Sequence, residues 1–230
     1  MSEFRPGNFQ VLPPVIKNII IICVLVWLAQ IVSMNVFHYP LEMLFALHYW
    51  QSEYFRPYQL ITHLFMHGGF FHIAFNMFAL WMFGSILENI WGPKRFLIFY
   101  FVCGIGAALC FLGYQTWEYH KLTEGYLNGQ VSALSIQEFL IEPVLGASGA
   151  IFGVLVAFGY MFPNSMLYIF PIPVPVKAKW LVIGYVALEL YLGLQASPGD
   201  NVAHFAHLGG ALFGFILMKI WNKGGRRNFY

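Results

Sequence analysis

A serine stands among small residues in Gly146-Ala147-Ser148-Gly149-Ala150, at the start of an apolar run that extends to about residue 162. Serine gives a membrane segment no hydrophobic anchor, and each glycine in a helix interior costs about 1 kcal/mol relative to alanine. What glycine permits is the close approach of a second backbone. Gly149 and Gly153 form one small-xxx-small pair; Gly210 and Gly214 form another, with His207 three residues ahead of it. Such pairs are packing faces between membrane helices. If the two faces meet, the His207 imidazole comes within reach of the Ser148 hydroxyl. A serine hydroxyl is a weak nucleophile until a base removes its proton, so the arrangement suits acyl transfer by a serine–histidine dyad. His204 shares a helix face with His207 and is the rival base; His207 lies nearer the glycine face and is preferred. No acid stands ready to orient it. Asp200 reads as a turn or helix-cap residue, and Glu189 as a side chain near the outer end of its helix, reaching water.

His72 and Asn76 are four apart, on one helix face. Imidazole and amide N–H groups there can stabilise the oxyanion of an acyl-transfer intermediate, and the backbone N–H of Ser148, near a helix N-terminus, adds a donor. The competing roles are structural: hydrogen bonds between helices for His72 and Asn76, and a hydroxyl bonded back to its own helix for Ser148. His63 and His67 form a second four-residue pair. Neither a His-Glu-x-x-His motif nor a nearby cysteine or carboxylate completes a ligand set, so no metal is expected, and no cofactor. These two histidines are expected to orient the first loop and the second helix.

The elements that must position these residues are membrane helices. The 230-residue chain is 59% hydrophobic and 10% charged, against about 25% charged in soluble domains. Its charges cluster between long apolar runs. Six spans are expected, at 15–37, 70–90, 96–117, 144–162, 175–194 and 202–221, making an all-α, polytopic six-helix bundle over 15–221. A cytoplasmic segment, 1–14, precedes it and a basic tail, 222–230, follows. With the N-terminus inside, the inner ends and loops carry Arg5, Lys17, Lys94, Arg95, Lys177, Lys179, Lys219, Lys223, Arg226 and Arg227; the outer loops carry only Arg56 and Lys121. That asymmetry supports both the span count and the orientation. Helices two, four and six then enter from outside, each with its polar residues near its beginning, so His72, Asn76, Ser148 and His207 share one depth. Polar groups at that depth are costly and mark functional sites.

The loop at 38–69 carries Tyr39, Phe45, Tyr49, Trp50, Tyr54, Phe55 and Tyr58 and is expected to lie in the membrane interface as short helices. The stretch 118–143, with Glu118, Glu124, Glu138 and Glu142, reads as a solvated insertion, and 197–201 as a turn. Pro171, Pro173 and Pro175 exclude a continuous helix over 163–175. Glu88, close to Lys94 and Arg95, reads as half of an ion pair. Cys23, Cys103 and Cys110 sit in apolar runs as core residues. No basic stripe suggests nucleic acid. The lack of an internal repeat counts against a transporter.

Taken together, the motifs resemble those of the rhomboid intramembrane serine proteases: His63-x-x-x-His67, His72-x-x-x-Asn76 in the second helix, Gly146-x-Ser148-Gly149 in the fourth, and His207-x-x-Gly210-x-x-x-Gly214 in the sixth. The resemblance runs from Tyr58 to about Phe215 and covers order, helix number and spacing. It implies a basic six-helix fold in which Ser148 is the nucleophile, His207 the base, and His72 and Asn76 oxyanion donors. The implied substrates are transmembrane segments of other proteins, and the implied location is a bilayer, placed here as the bacterial inner membrane. Inactive relatives imply the alternative, a protein that binds transmembrane clients without cutting them. Two departures stand out. Tyr58-Gln59 replaces the Trp-Arg of many rhomboids. Phe152 stands where some members place a tyrosine that stacks on the base; it can stack but has no hydroxyl.

Overall fold

The computed structural model describes residues 9–169, 172–195 and 203–224. Arg5, Pro171, the 197–201 turn with Asp200, Arg226, Arg227, and most of the 1–14 and 222–230 segments lie outside the described residues. Within them the chain is mostly helical, and its two strands form one hairpin. The six principal helices are α1 (Pro14–Phe37), α2 (Phe70–Trp91), α3 (Pro93–Leu127), α4 (Ser148–Met161), α5 (Ala178–Gln195) and α6 (His204–Gly224).

Helix α1 is apolar on nearly every face, as a lipid-facing span must be. Ile16, Ile19 and Cys23 pack inward, while Ile21, Ile22, Leu25, Leu28 and Val32 lie exposed on the outside of the bundle. By length and hydropathy α1, α2, α3 and α6 can each cross a membrane, and the chain is a multi-pass integral membrane protein. Helix α4 is shorter. Its 14 residues span about 21 Å at 1.5 Å per residue, less than the ~30 Å of a hydrocarbon core. It is also central: eight of its residues are buried, most of them small. Helix α6 packs chiefly on α3 and α4, and α5 packs on α6 and α4, with only sparse contact to α2.

Several boundaries differ from the sequence reading. Residues 144–147 are not helical; Val144 pairs with Leu47 in an isolated antiparallel bridge that ties the first loop to the approach to α4. Residues 172–177 belong to β2 (Ile172–Lys177), which pairs with β1 (Met166–Ile169) in an antiparallel hairpin, Met166 opposite Lys177. The expected solvated insertion is largely helix. Helix α3 runs ten residues past its expected end, and a further helix covers Ala133–Ile141. Between them they build a niche for Tyr49, whose fully buried ring lies 5.4 Å from that of Tyr119 and 5.5 Å from that of Phe139.

The first loop does contain short helices, Glu42–Phe45 and Gln59–Thr62. Tyr39, Trp50 and Tyr58 are exposed on it. It is held by Gln59, fully buried, whose amide nitrogen donates to the carbonyls of Leu44 (3.1 Å) and Tyr54 (2.9 Å) and whose oxygen accepts from the N–H of His48 (3.3 Å) and Arg56 (3.1 Å). Glu88 makes no ion pair with Lys94 or Arg95 among the described residues. Its two carboxylate oxygens instead accept the N–H groups of Val15 and Ile16, each at 2.9 Å, where the unsatisfied donors at a helix N-terminus favour an anion. Cys23 and Cys103 are buried and Cys110 half-buried, all as free thiols.

Candidate active site

The two glycine faces meet. A Cβ on Gly210 would run into the carbonyl oxygen of Gly149, and one on Gly214 would lie 2.8 Å from the Cα of Gly153. Backbone contact this close sets the side chains flanking the crossing against one another. Ser148 begins α4 and His207 is the fourth residue of α6; His207 Nε2 lies 2.7 Å from Ser148 Oγ, within hydrogen-bond distance. Phe152, one turn along α4, stacks on the imidazole with centroids 4.3 Å apart and planes 9° from parallel. His204, the rival base, does not reach the serine. Its Nδ1 lies 2.6 Å from Glu189 Oε2 on α5.

Glu189 therefore does not simply reach water. The same Oε2 lies 3.0 Å from His207 Nδ1, with all three side chains about nine-tenths buried. The His207 Nδ1 contact is off the straight line of a hydrogen bond. An acid does stand beside the base, contrary to the sequence reading.

His72 closes the opposite side. Gly146 precedes the serine at φ 127°, a conformation that L side chains rarely adopt, and a Cβ there would sit 2.8 Å from His72 Nε2 and 3.7 Å from Ser148 Oγ. The imidazole edge and the hydroxyl thus flank one small space that only glycine leaves open. His72 Nδ1 faces the N–H of Gly68 at 3.4 Å. A ring nitrogen that accepts there leaves the proton of the neutral imidazole on Nε2, toward the serine. The N–H of Ser148 lies in the first turn of α4, where no intrahelical acceptor exists. Asn76 is buried on the next turn, but its amide nitrogen donates back to the His72 carbonyl at 2.9 Å, and Asn76 is not among the residues lining the cavity. A cavity of about 700 Å³ opens over these groups, bounded by His72, Gly146, Ser148, His204 and His207, with Glu118 and Glu142 also on its wall.

His63 and His67 are tied to the first loop, to the approach to α4 and to α1. The His63 carbonyl accepts the Gly146 N–H at 2.9 Å, and its Nδ1 meets the Gln59 carbonyl at 2.7 Å. Burial holds the His63 and His67 side chains down to about 4 from the ordinary 6.5, the charge of His72 adding to the effect at His67. The backbone of His67 is clamped by Gln30 of α1, whose amide oxygen accepts the His67 N–H at 3.1 Å and whose nitrogen donates to the His67 carbonyl at 3.2 Å and to Glu42 Oε1 at 2.5 Å. Gln30 and Glu189 escaped the sequence reading. The one signal available was a polar residue inside an apolar run.

Membrane helices, a glycine-mediated crossing and a serine–histidine contact under an open cavity describe a membrane protein with the makings of a hydrolase. Residues 54–223 match the family profile described as Rhomboid domain, and the chain belongs to the rhomboid family. It is 33% identical over 170 residues to Rhomboid protein 1, mitochondrial, of Saccharomyces cerevisiae, covering 73% of this chain and 44% of that protein. Similarity extends to Rhomboid protease AarA of Providencia stuartii, at 32% identity over 66% of this chain and 51% of the relative. Rhomboid protease GluP of Bacillus subtilis is 29% identical over 76% of this chain and 28% of the relative. The chain thus matches about half or less of the length of these curated relatives.

Proposed function

We propose that this protein is an intramembrane serine endopeptidase that cuts transmembrane segments of other membrane proteins. The observation that carries the reading is the 2.7 Å contact between Ser148 Oγ and His207 Nε2 at the floor of the cavity. In the reaction, His207 Nε2 takes the hydroxyl proton as Ser148 Oγ attacks the scissile carbonyl carbon. The oxyanion that forms lies against His72 Nε2–H and the Ser148 N–H; Asn76 serves as a further donor once its amide turns from the His72 carbonyl toward the cavity, and one such donor is worth about 3 kcal/mol of barrier. The tetrahedral intermediate collapses, the C–N bond breaks, and the departing amine takes the proton from His207. Water then enters from the cavity, gives its proton to His207 and attacks the acyl carbonyl; as that second tetrahedral intermediate collapses, the C–O bond to Ser148 breaks and His207 returns the proton to Ser148 Oγ, releasing the carboxyl product. His63, His67, Gly146, Gly149, Gly210, Gly214 and Phe152 hold these groups in place.

A helical substrate must unwind locally, because helical carbonyls are already hydrogen-bonded. The sparsely packed space between α2 and α5 supports lateral access there. The relatives named as proteases support the activity, and the distribution of cationic residues supports an orientation with 1–14 and 222–230 inside and the cavity facing out. The bacterial inner membrane is proposed as the location; the matched relatives come from bacteria and mitochondria alike.

The test is cleavage of a single-span reporter in proteoliposomes together with labelling by a fluorophosphonate probe. Native protein cleaves and labels; Ser148→Ala abolishes both, and His207→Ala lowers both sharply. Folded native protein that fails to label would favour the alternative, client binding without cleavage.

A further inference from the structure

We propose that Glu189 is a positioning residue for His207, held in place by His204, so that the working unit is a relay of His204, Glu189, His207 and Ser148. The inference rests on the protease reading for its kinetic part and on the geometry alone for its spectroscopic part. A carboxylate in a membrane helix is costly unless paired. Glu189 is about nine-tenths buried, and its Oε2 lies 2.6 Å from His204 Nδ1 and 3.0 Å from His207 Nδ1. A neutral imidazole carries one N–H. With Nδ1–H turned to the carboxylate, the lone pair of His207 is on Nε2, facing the Ser148 hydroxyl at 2.7 Å. The opposite tautomer would present a hydrogen to the serine and could not take its proton.

His204 already occupies Oε2, and the His207 contact is off-line for a hydrogen bond. A small rotation of the carboxyl group or the imidazole aligns it as positive charge develops on His207. Glu189 accepts no proton; it remains a carboxylate and stabilises the imidazolium. Around His207 the other groups are Ser148 and the stacked Phe152 from α4, His72 from α2, and His204 on its own helix, with Glu118 and Glu142 farther off on the cavity wall. The α3 residues against this part of α6 are Ala107, Cys110, Phe111 and Tyr114, the last with its ring stacked on Phe205. Glu189 is therefore the only carboxylate in contact with His207 among the described residues.

The experiment compares native protein with Glu189→Gln and Glu189→Ala. Glutamine keeps the size but can donate an N–H to His207 Nδ1, which selects the wrong tautomer. The expectation is that kcat falls about 100-fold or more in Glu189→Gln, at least as far as in Glu189→Ala. Thermal unfolding of Glu189→Gln should stay close to native. Nitrogen-15 NMR of labelled histidine supplies a readout independent of turnover. Native His207 should carry its proton on Nδ1, and Glu189→Gln should shift it to Nε2. Native-like kcat and tautomer in Glu189→Gln overturn the proposal, as does an Nε2–H tautomer in native protein. The expected tautomers with no cleavage or probe labelling in native protein would sustain the positioning role and defeat the protease reading alone.

Discussion

The ring of Phe152 lies flat on the imidazole of His207, 4.3 Å from centroid to centroid. This contact restrains the rotation that would swing Nε2 away from Ser148 Oγ. Replacing Phe152 with alanine should lower kcat about tenfold, the cost of roughly 1.4 kcal/mol, with KM for a reporter span little changed. Phe152→Tyr keeps the stack and should retain most of the activity. Steady-state kinetics on the two variants decides the matter; equal rates for Phe152→Ala and native protein would show that the stack holds nothing in place.

Gly210→Ala should be among the most damaging methyl additions in the chain. The new Cβ collides with the Gly149 carbonyl, a backbone atom that cannot swing aside. Overpacking of this kind costs about 1–3 kcal/mol, and separating α4 from α6 also separates serine from histidine. Gly184→Ala on α5 is the control, since nothing lies within 4 Å of its added methyl; it should be neutral or stabilise by up to about 1 kcal/mol. Thermal unfolding in detergent measures both.

Gln59 satisfies four backbone groups of the first loop. Gln59→Ala strands several of them in a buried setting, each at about 1–3 kcal/mol if water does not enter. We expect a clear fall in melting temperature and faster proteolytic nicking within 38–58, while Tyr58→Phe, at an exposed ring, changes neither. Nicking of Gln59→Ala at the native rate would rule out the clamp.

Acid should destabilise the protein through His63 and His67. Both have folded values depressed by burial from 6.5 to about 4, so the unfolded chain binds these protons first. Their stabilising contribution is complete above about pH 6.5 and is lost as the pH falls from there toward 4, at about 1.4 kcal/mol per pH unit for each histidine. Unfolding followed from pH 7.5 to 4.5 should show the loss, and a folded His63→Gln variant should show a shallower slope. Equal slopes would remove His63 from the account.

Ser148 and His207 could be found in the sequence because their signal is one-dimensional: a glycine pair at i, i+4 beside each, in segments that enter from the same side. His72 drew notice by a different signal, its four-residue spacing to Asn76 near the start of a helix entering from that side. Glu189 was not. Helix α5 carries no motif, and only its packing on α6 brings the carboxylate to both histidines. The spacing of Asn76 placed it one turn from His72, but its amide bonds back to the His72 carbonyl within the helix, a competition that spacing does not reveal. Hydropathy ended α3 near Trp117, where the lipid-soluble stretch stops. The helix continues through Lys121, Leu122 and Glu124, good helix formers that no longer need a membrane. Glu88 was paired on paper with the nearest cations in the chain, whereas its partners are backbone donors 73 and 72 residues away.

Helix α4 is about 15 Å shorter than α1 at 1.5 Å per residue and is enclosed by its neighbours. A short stave in the middle of a barrel leaves a well, and the well is the cavity above Ser148. On the proposed protease reading, a hydrolytic water molecule would arrive by falling into a protein-walled shaft while a substrate helix would come sideways out of oil, so the two reactants would meet from perpendicular directions.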